Sequence, residues 1–387
     1  MVNSFISKQS FLKLPFRYLC FIYFCVSILY IPLFKFLGIL AFSRWKNIHL
    51  SFNYADEFVK RGLIGSLFYI FKIPLNKEIA FVFALIFYTS FVSILFFFIK
   101  KFLEKKNDLF VYFLLLYLLT PAGIPHFAHD IGRFDIINYS LLFLALVIYN
   151  PKNFLSKFTS TFLIYLSYFI HEASFFYSFP VFLLFLAINK DKKFLPYFLG
   201  ISCLSFFIIM IFGHYSTLDP QTYFKIKISP TWGEAKTSSH LVLFSNLLDN
   251  LKRVYYQSFY SLDLFLLMTY FGLILATYVL FCSMFCSQFS KPKLLLFSVP
   301  FWIFPLFLVG IDYSRWVSLF FTNCMIISVF YVKYFYDSYH PITNPLLKLH
   351  YYLMILLFFF GPLGIIGPFP LLTKLLTKTK ALLLKIS

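Results

Sequence analysis

The segment SFNYADEFVKRGLIGS, Ser51 to Ser66, sets two acids and two bases, Asp56, Glu57, Lys60 and Arg61, between runs that are almost wholly apolar. On a helix, Asp56 would stand four residues before Lys60 and Glu57 four before Arg61, the favourable order for such pairs. Gly62 and Gly65 would then let that helix pack closely. A self-paired interfacial helix and a chemically active segment both fit the pattern, and the flanking chain has to decide between them.

The flanks define the class. Hydrophobic residues make up 60% of the 387-residue chain and charged residues 13%, and mean hydropathy is +0.81. That composition excludes an ordinary soluble domain and reads as an all-α, polytopic integral membrane protein. Apolar runs lie near 18–42, 79–99, 109–123, 136–150, 158–170, 173–188, 194–212, 262–286, 294–310, 317–335 and 350–370, about ten to eleven spans in a single transmembrane domain covering 1–387. The first follows Lys8, Lys13 and Arg17, is too long for a cleaved signal peptide, and reads as an uncleaved span. The Ile170-His171-Glu172 break is tight, and the final run, interrupted by Gly361-Pro362, Gly364 and Gly367-Pro368, reads as broken or re-entrant. Gly62 to Phe71 reads as an interfacial or re-entrant helix rather than a span. Cys20, Cys25, Cys203, Cys282, Cys286 and Cys324 all fall within apolar runs, so neither a disulfide framework nor a cysteine zinc site is indicated.

Lysine sets the orientation. It collects at the N-terminus and at Lys100–Lys106, Lys152–Lys157, Lys190–Lys193, Lys291–Lys293 and Lys333–Lys348, which places those segments and the N-terminus on the cytoplasmic face of the membrane. The opposite, outer face then receives the first outer loop (43–78), the loop Pro121–Asp135, the His171-Glu172 corner, the largest outer loop (213–261) and Gly310–Arg315. Lys374, Lys378, Lys380 and Lys385 fall outside if the last run spans fully and inside if it is re-entrant. The formal charge of +19 is thereby an expression of topology and anionic lipid and calls for no nucleic acid.

Arginine is distributed differently. Of 34 basic residues only Arg17, Arg44, Arg61, Arg133, Arg253 and Arg315 are arginine, and all but Arg17 fall on the outer face. A chain that uses lysine where a point charge suffices keeps arginine where a planar two-pronged donor grips phosphate or carboxylate. Two arginines sit in matching phrases, Asp130-Ile131-Gly132-Arg133-Phe134 and Asp312-Tyr313-Ser314-Arg315-Trp316, each just before a descending span. Helix capping by Asp and interfacial anchoring by the aromatic would explain two members of each phrase. Neither explains a cation beside a positive helix end, which implies a bound phosphate or a carboxylate partner.

His126 and His129 with Asp130 and Asp135 have spacings compatible with a metal, yet no Asp-x-Asp accompanies them, so a hydrogen-bonded loop or substrate contact is expected and no metal. His171-Glu172 puts an ionisable pair between two apolar runs, which reads either as a functional pair or as a buried pair that holds the corner together. In the 213–261 loop, His214, Asp219, Trp232, Glu234 and His240 are a solvated surface or sugar contacts, and Leu241 to Tyr256 reads as an amphipathic helix on the membrane surface.

Asp56-Glu57 and Lys60-Arg61 just after the first span, the outward histidines and arginines, and the two Asp-x-x-Arg-aromatic phrases resemble the polytopic enzymes that build bacterial surface polysaccharide. These are the Wzy-type O-antigen and capsule polymerases and the GT-C glycosyltransferases that use polyprenyl-linked sugar donors. The resemblance implies glycosyl transfer at the periplasmic face without a cofactor. It implies a carboxylate general base in the first outer loop, Asp56 or Glu57, with His171 and Glu172 as the next pair. Lys60, Arg61, His129, Asp130, Arg133, Asp135, Asp312 and Arg315 would bind phosphate and substrate, and the partners would be a polyprenyl-linked oligosaccharide and membrane lipid. Wzy-type enzymes show two large arginine-rich outer loops where this chain has one, so polymerase and single-sugar transferase both stay open. A flippase for lipid-linked glycans and a membrane acyltransferase are the other classes with the same surface features.

Overall fold

The computed structural model describes residues 16–38, 40, 48–103, 107–232, 239–245, 247–259, 264, 267–269, 271–276, 278, 291–310 and 312–335. The expected span at 350–370, the C-terminal lysines, Arg44, Glu234 and most of 262–286 lie outside these residues. Among the described residues the fold is all-α, with no strand.

The helices are α1 (Phe16–Phe36), α2 (Gly62–Ile70), α3 (Lys77–Leu103), α4 (Asn107–Leu119), α5 (Ile124–His129), α6 (Phe134–Ile148), α7 (Phe154–Ile170), α8 (Ser174–Ile188), α9 (Leu195–Phe212), α10 (Leu247–Phe259), α11 (Lys291–Ser298), α12 (Phe304–Val309) and α13 (Tyr313–Tyr334). Their ends follow local chemistry. Asn76 Oδ1 accepts from the Ile79 amide to cap α3, Glu78 lies in its first turn and Lys100 and Lys101 in its last, each complementing the helix dipole. Asn153 caps α7 through the Ser156 amide, and Asp219 caps the short helical stretch from Pro220.

By length and apolarity α3, α9 and α13 are sufficient to cross a membrane. A fourth is added if Phe113–His129 and Phe134–Ile148, bent by 114° at their junction, count as one broken span. Among the described residues, the apolar helices Phe154–Ile170, Ser174–Ile188 and Leu295–Val309 are shorter than a full span. Helix α13 is the axis of the bundle: every residue from Tyr313 to Val332 is buried, with α3, α8 and the Lys291–Val309 run packed around it. Helix α9 is peripheral and shows Leu199, Leu204, Phe207, Ile211 and Phe212 to the exterior.

The expected helix over Ser51–Ser66 is not formed at its charged end. A 3-10 turn covers Ile48–Ser51, an irregular segment follows, and α2 begins only at Gly62. The acids therefore never reach the i,i+4 positions opposite Lys60 and Arg61. Close packing at the glycines is real: a Cβ on Gly65 would lie 2.0 Å from the Phe52 carbonyl oxygen, so α2 sits directly on the Ile48–Phe52 backbone.

Candidate functional site

At one end of the bundle an open cleft holds about 390 Å3 of empty space, part of it continuous with the exterior. Its walls are His49, Arg61, Gly132, Arg133, Phe134, His171, Asp312 and Arg315. These come from five separate stretches, and the helix ends deliver them. Arg61 is the residue before α2 and has φ +64°, a left-handed conformation that costs a non-glycine residue about 1–2 kcal/mol. Such strain persists only where the surroundings hold it. Gly132, φ +94°, turns the chain between α5 and α6 and brings the following Arg133 to the cleft. His171 and Glu172 form the extended corner between α7 and α8, and Asp312 and Arg315 begin α13.

Each arginine has a carboxylate. Arg61 grips Glu172 with Nε at 3.1 and 3.0 Å from its two oxygens and Nη2 at 2.5 Å. Arg315 makes a two-pronged contact with Asp135, Nε to Oδ2 at 2.5 Å and Nη2 to Oδ1 at 2.8 Å. Arg133 pairs with Asp130 of its own phrase at 3.0 Å and, through Nη1, with Asp312 of the other phrase at 3.0 Å. Asp312 Oδ2 also accepts from Arg315 Nη1 at 3.3 Å. The two Asp-x-small-Arg phrases are thus halves of one interlocked network. Neither aspartate makes the expected side-chain helix cap: Arg133, not Asp130, occupies the residue before α6, and Asp312 precedes α13 without a capping hydrogen bond, because both carboxylates face guanidiniums instead.

Behind this wall the network continues into the bundle. Tyr177 donates to Asp135 at 3.3 Å, Asn138 donates to the Tyr177 hydroxyl, and Asn323 bonds both the Tyr177 carbonyl and the Tyr139 hydroxyl. His129 Nδ1 lies 2.7 Å from Asp130 Oδ1, buried behind Arg133 with its ring against Phe34.

His171 is held neutral. Nε2 is 2.9 Å from Arg315 Nη2 and Nδ1 is 3.1 Å from the Ala173 amide, so both ring nitrogens face donors, while the nearest acceptor, Glu172 Oε2, is 3.4 Å from Nδ1. A second proton on the ring would meet donors on either side. Burial, reinforced by the Arg61 charge, lowers its pKa to about 3. Burial alone would raise the Glu172 carboxyl, but the charge and hydrogen bonds of Arg61 outweigh it and keep the group well below the usual range. Asp312 is likewise held low against burial by Arg133 and Arg315. His49, wedged against Phe52 and Phe134, has Nδ1 buried without a hydrogen-bond partner, and burial together with Arg61 lowers its pKa well below 6.5.

The other three charged residues of the Ser51–Ser66 segment lie elsewhere. Asp56 is exposed and pairs with Lys227 at 2.7 Å. Glu57 accepts from the Ser216 amide and hydroxyl and the Thr217 amide. Lys60 is buried, donates to the Ser245 carbonyl at 2.8 Å, and its pKa is lowered by burial. All three fasten the 213–245 loop to the segment that carries Arg61. The cleft therefore gathers Arg61, Arg133, His171, Asp312 and Arg315, with Glu172, Asp130, Asp135 and His129 directly behind, and leaves out Asp56, Glu57 and Lys60. His49 was not recognised from sequence; it is an isolated histidine in no spacing pattern. No family model, curated protein or solved structure matches the chain.

Proposed function

We propose that the chain is a polytopic inner-membrane enzyme that transfers glycosyl groups from a polyprenyl-diphosphate-linked saccharide at the periplasmic face during surface-polysaccharide assembly. The observation that carries this reading is the convergence of Arg61, Arg133 and Arg315 on one open cleft, a donor set suited to a diphosphate leaving group. The apolar exterior of α9 and the central burial of α13 support a lipid surrounding for the bundle that presents it.

With Asp56 and Glu57 engaged by the 213–245 loop, the base falls to Glu172. When the donor phosphates draw Arg61 away, the Glu172 carboxylate regains proton affinity and takes the proton of the acceptor hydroxyl. The acceptor oxygen bonds to the anomeric carbon, the bond from that carbon to the phosphate oxygen breaks, and the electron pair leaves with the diphosphate, whose charge Arg133 and Arg315 neutralise. An acyltransferase that uses His171 as base is less well supported, because both its ring nitrogens already face donors. Deletion of the gene followed by gel analysis of surface polysaccharide tests the reading. Loss of the ladder with one repeat unit retained indicates a polymerase and an altered ladder a branching transferase. An unchanged glycan contradicts the proposal, and accumulation of cytoplasmic-side lipid-linked units assigns a flippase in its place.

A further inference from the structure

Resting on that reading, the inference concerns the surplus acid of the cleft. Asp130 backs Arg133 and Asp135 backs Arg315, each carboxylate 2% exposed. Each of those arginines thus has a carboxylate besides Asp312, whose side chain is 23% exposed and stands on the cleft wall. Yet a single oxygen of Asp312 receives Nη1 of Arg133 at 3.0 Å and Nη1 of Arg315 at 3.3 Å. Two guanidiniums from separate segments, both under a tenth exposed, are therefore aimed at one point beside open space.

We propose that this point is the seat of a phosphate oxygen of a diphosphate ester, and that the Asp312 carboxylate is a built-in placeholder displaced when the diphosphate arrives. A carboxylate that engages two arginines through one oxygen is a poor bidentate ligand. A phosphate carries more charge and presents oxygens that span both guanidiniums. The placeholder keeps the arginines aligned and their charge compensated in the empty site, and it sets a threshold: an anion must outcompete Asp312 to bind. A singly charged phosphodiester head group of the surrounding lipid is the weaker competitor, so the device selects a diphosphate from among the membrane's phosphates.

The experiment is direct binding of inorganic pyrophosphate to the detergent-solubilised full chain, wild type beside Asp312→Asn and Asp312→Glu. Each arginine keeps its own carboxylate in both variants, and thermal unfolding confirms that each is folded. Asp312→Asn removes a negative charge within hydrogen-bond reach of the ligand and is expected to tighten pyrophosphate binding roughly tenfold or more. Asp312→Glu keeps the charge and is expected to bind no tighter than wild type. Asp312→Asn that binds equally or more weakly makes Asp312 a strut and overturns the proposal. A competition arm adds phosphatidylglycerol in mixed micelles: failure to displace pyrophosphate is expected, and displacement at equal concentration assigns the seat to lipid head groups and overturns it. Because pyrophosphate binding needs no turnover, this result is separable from the polysaccharide phenotype that tests the enzymatic reading.

Discussion

Replacing Asp135 by asparagine removes the charge from the most enclosed ion pair of the site. Arg315 and Asp135 are joined by two hydrogen bonds of 2.5 and 2.8 Å, with side-chain exposures of 6% and 2%. Breaking a buried pair from one side strands the other charge and costs about 3–5 kcal/mol. The remaining 3.3 Å contact of Arg315 with Asp312 offsets part of this, which places the expected loss toward the lower end of that range. The Tyr177 hydroxyl loses little, since an asparagine oxygen still accepts from it. Thermal unfolding of the detergent-solubilised protein should show a large drop for Asp135→Asn. The double substitution Asp135→Leu with Arg315→Met, which removes both charges, should recover most of it, because apolar replacement of a whole buried pair is often neutral or stabilising. If Asp135→Asn costs less than about 1 kcal/mol, the pair is not the buried clamp described here.

Three further outcomes are expected. Gly65→Ala places a methyl 2.0 Å from the Phe52 carbonyl oxygen, so α2 must move off the Ile48–Phe52 backbone; a loss of about 1–3 kcal/mol or more and weakened pyrophosphate binding follow, and a neutral result refutes the contact. His171 has a folded pKa of about 3 against an ordinary value near 6.5. The unfolded chain therefore takes up the proton first, and its contribution to stability is complete above pH 6.5 and lost as pH falls toward 3. Unfolding temperature should therefore decline on acidification from pH 7 to 5, and His171→Gln should flatten that decline; Glu172, depressed below 4.5, adds its loss only below about pH 4.5. Asp56→Ala removes an exposed pair worth at most about 1 kcal/mol and should leave glycan output near wild type; abolished output with unchanged stability would return the role of base to Asp56.

The helices were legible because apolar runs and the His171-Glu172 break are local signals. The kinship of the 130–134 and 312–316 phrases was visible too, but not that Arg133 reaches across to Asp312, a pairing 179 positions apart that only the tertiary fold creates. The charged end of Ser51–Ser66 misled for the same reason. Spacing offered Asp56 and Glu57 partners four residues away, whereas tertiary structure supplied Lys227, Ser216 and Thr217. Helix propensity yields to such contacts when a loop can satisfy both carboxylates at once. His49 had no partner in sequence to mark it, since its place in the cleft comes from α2 pressing on the turn that carries it.

The central claim is that Arg133 and Arg315 grip donor phosphate and do more than hold aspartates. Glycan output of cells carrying Arg133→Lys or Arg315→Lys, measured alongside the amount of folded protein, tests it most directly. Lysine keeps the charge but loses one prong, and each missing charge-assisted hydrogen bond is worth about 1.5–3 kcal/mol, roughly tenfold to a hundredfold in rate. Output reduced to that degree with folded protein retained is the predicted result; full output from both variants contradicts the phosphate role.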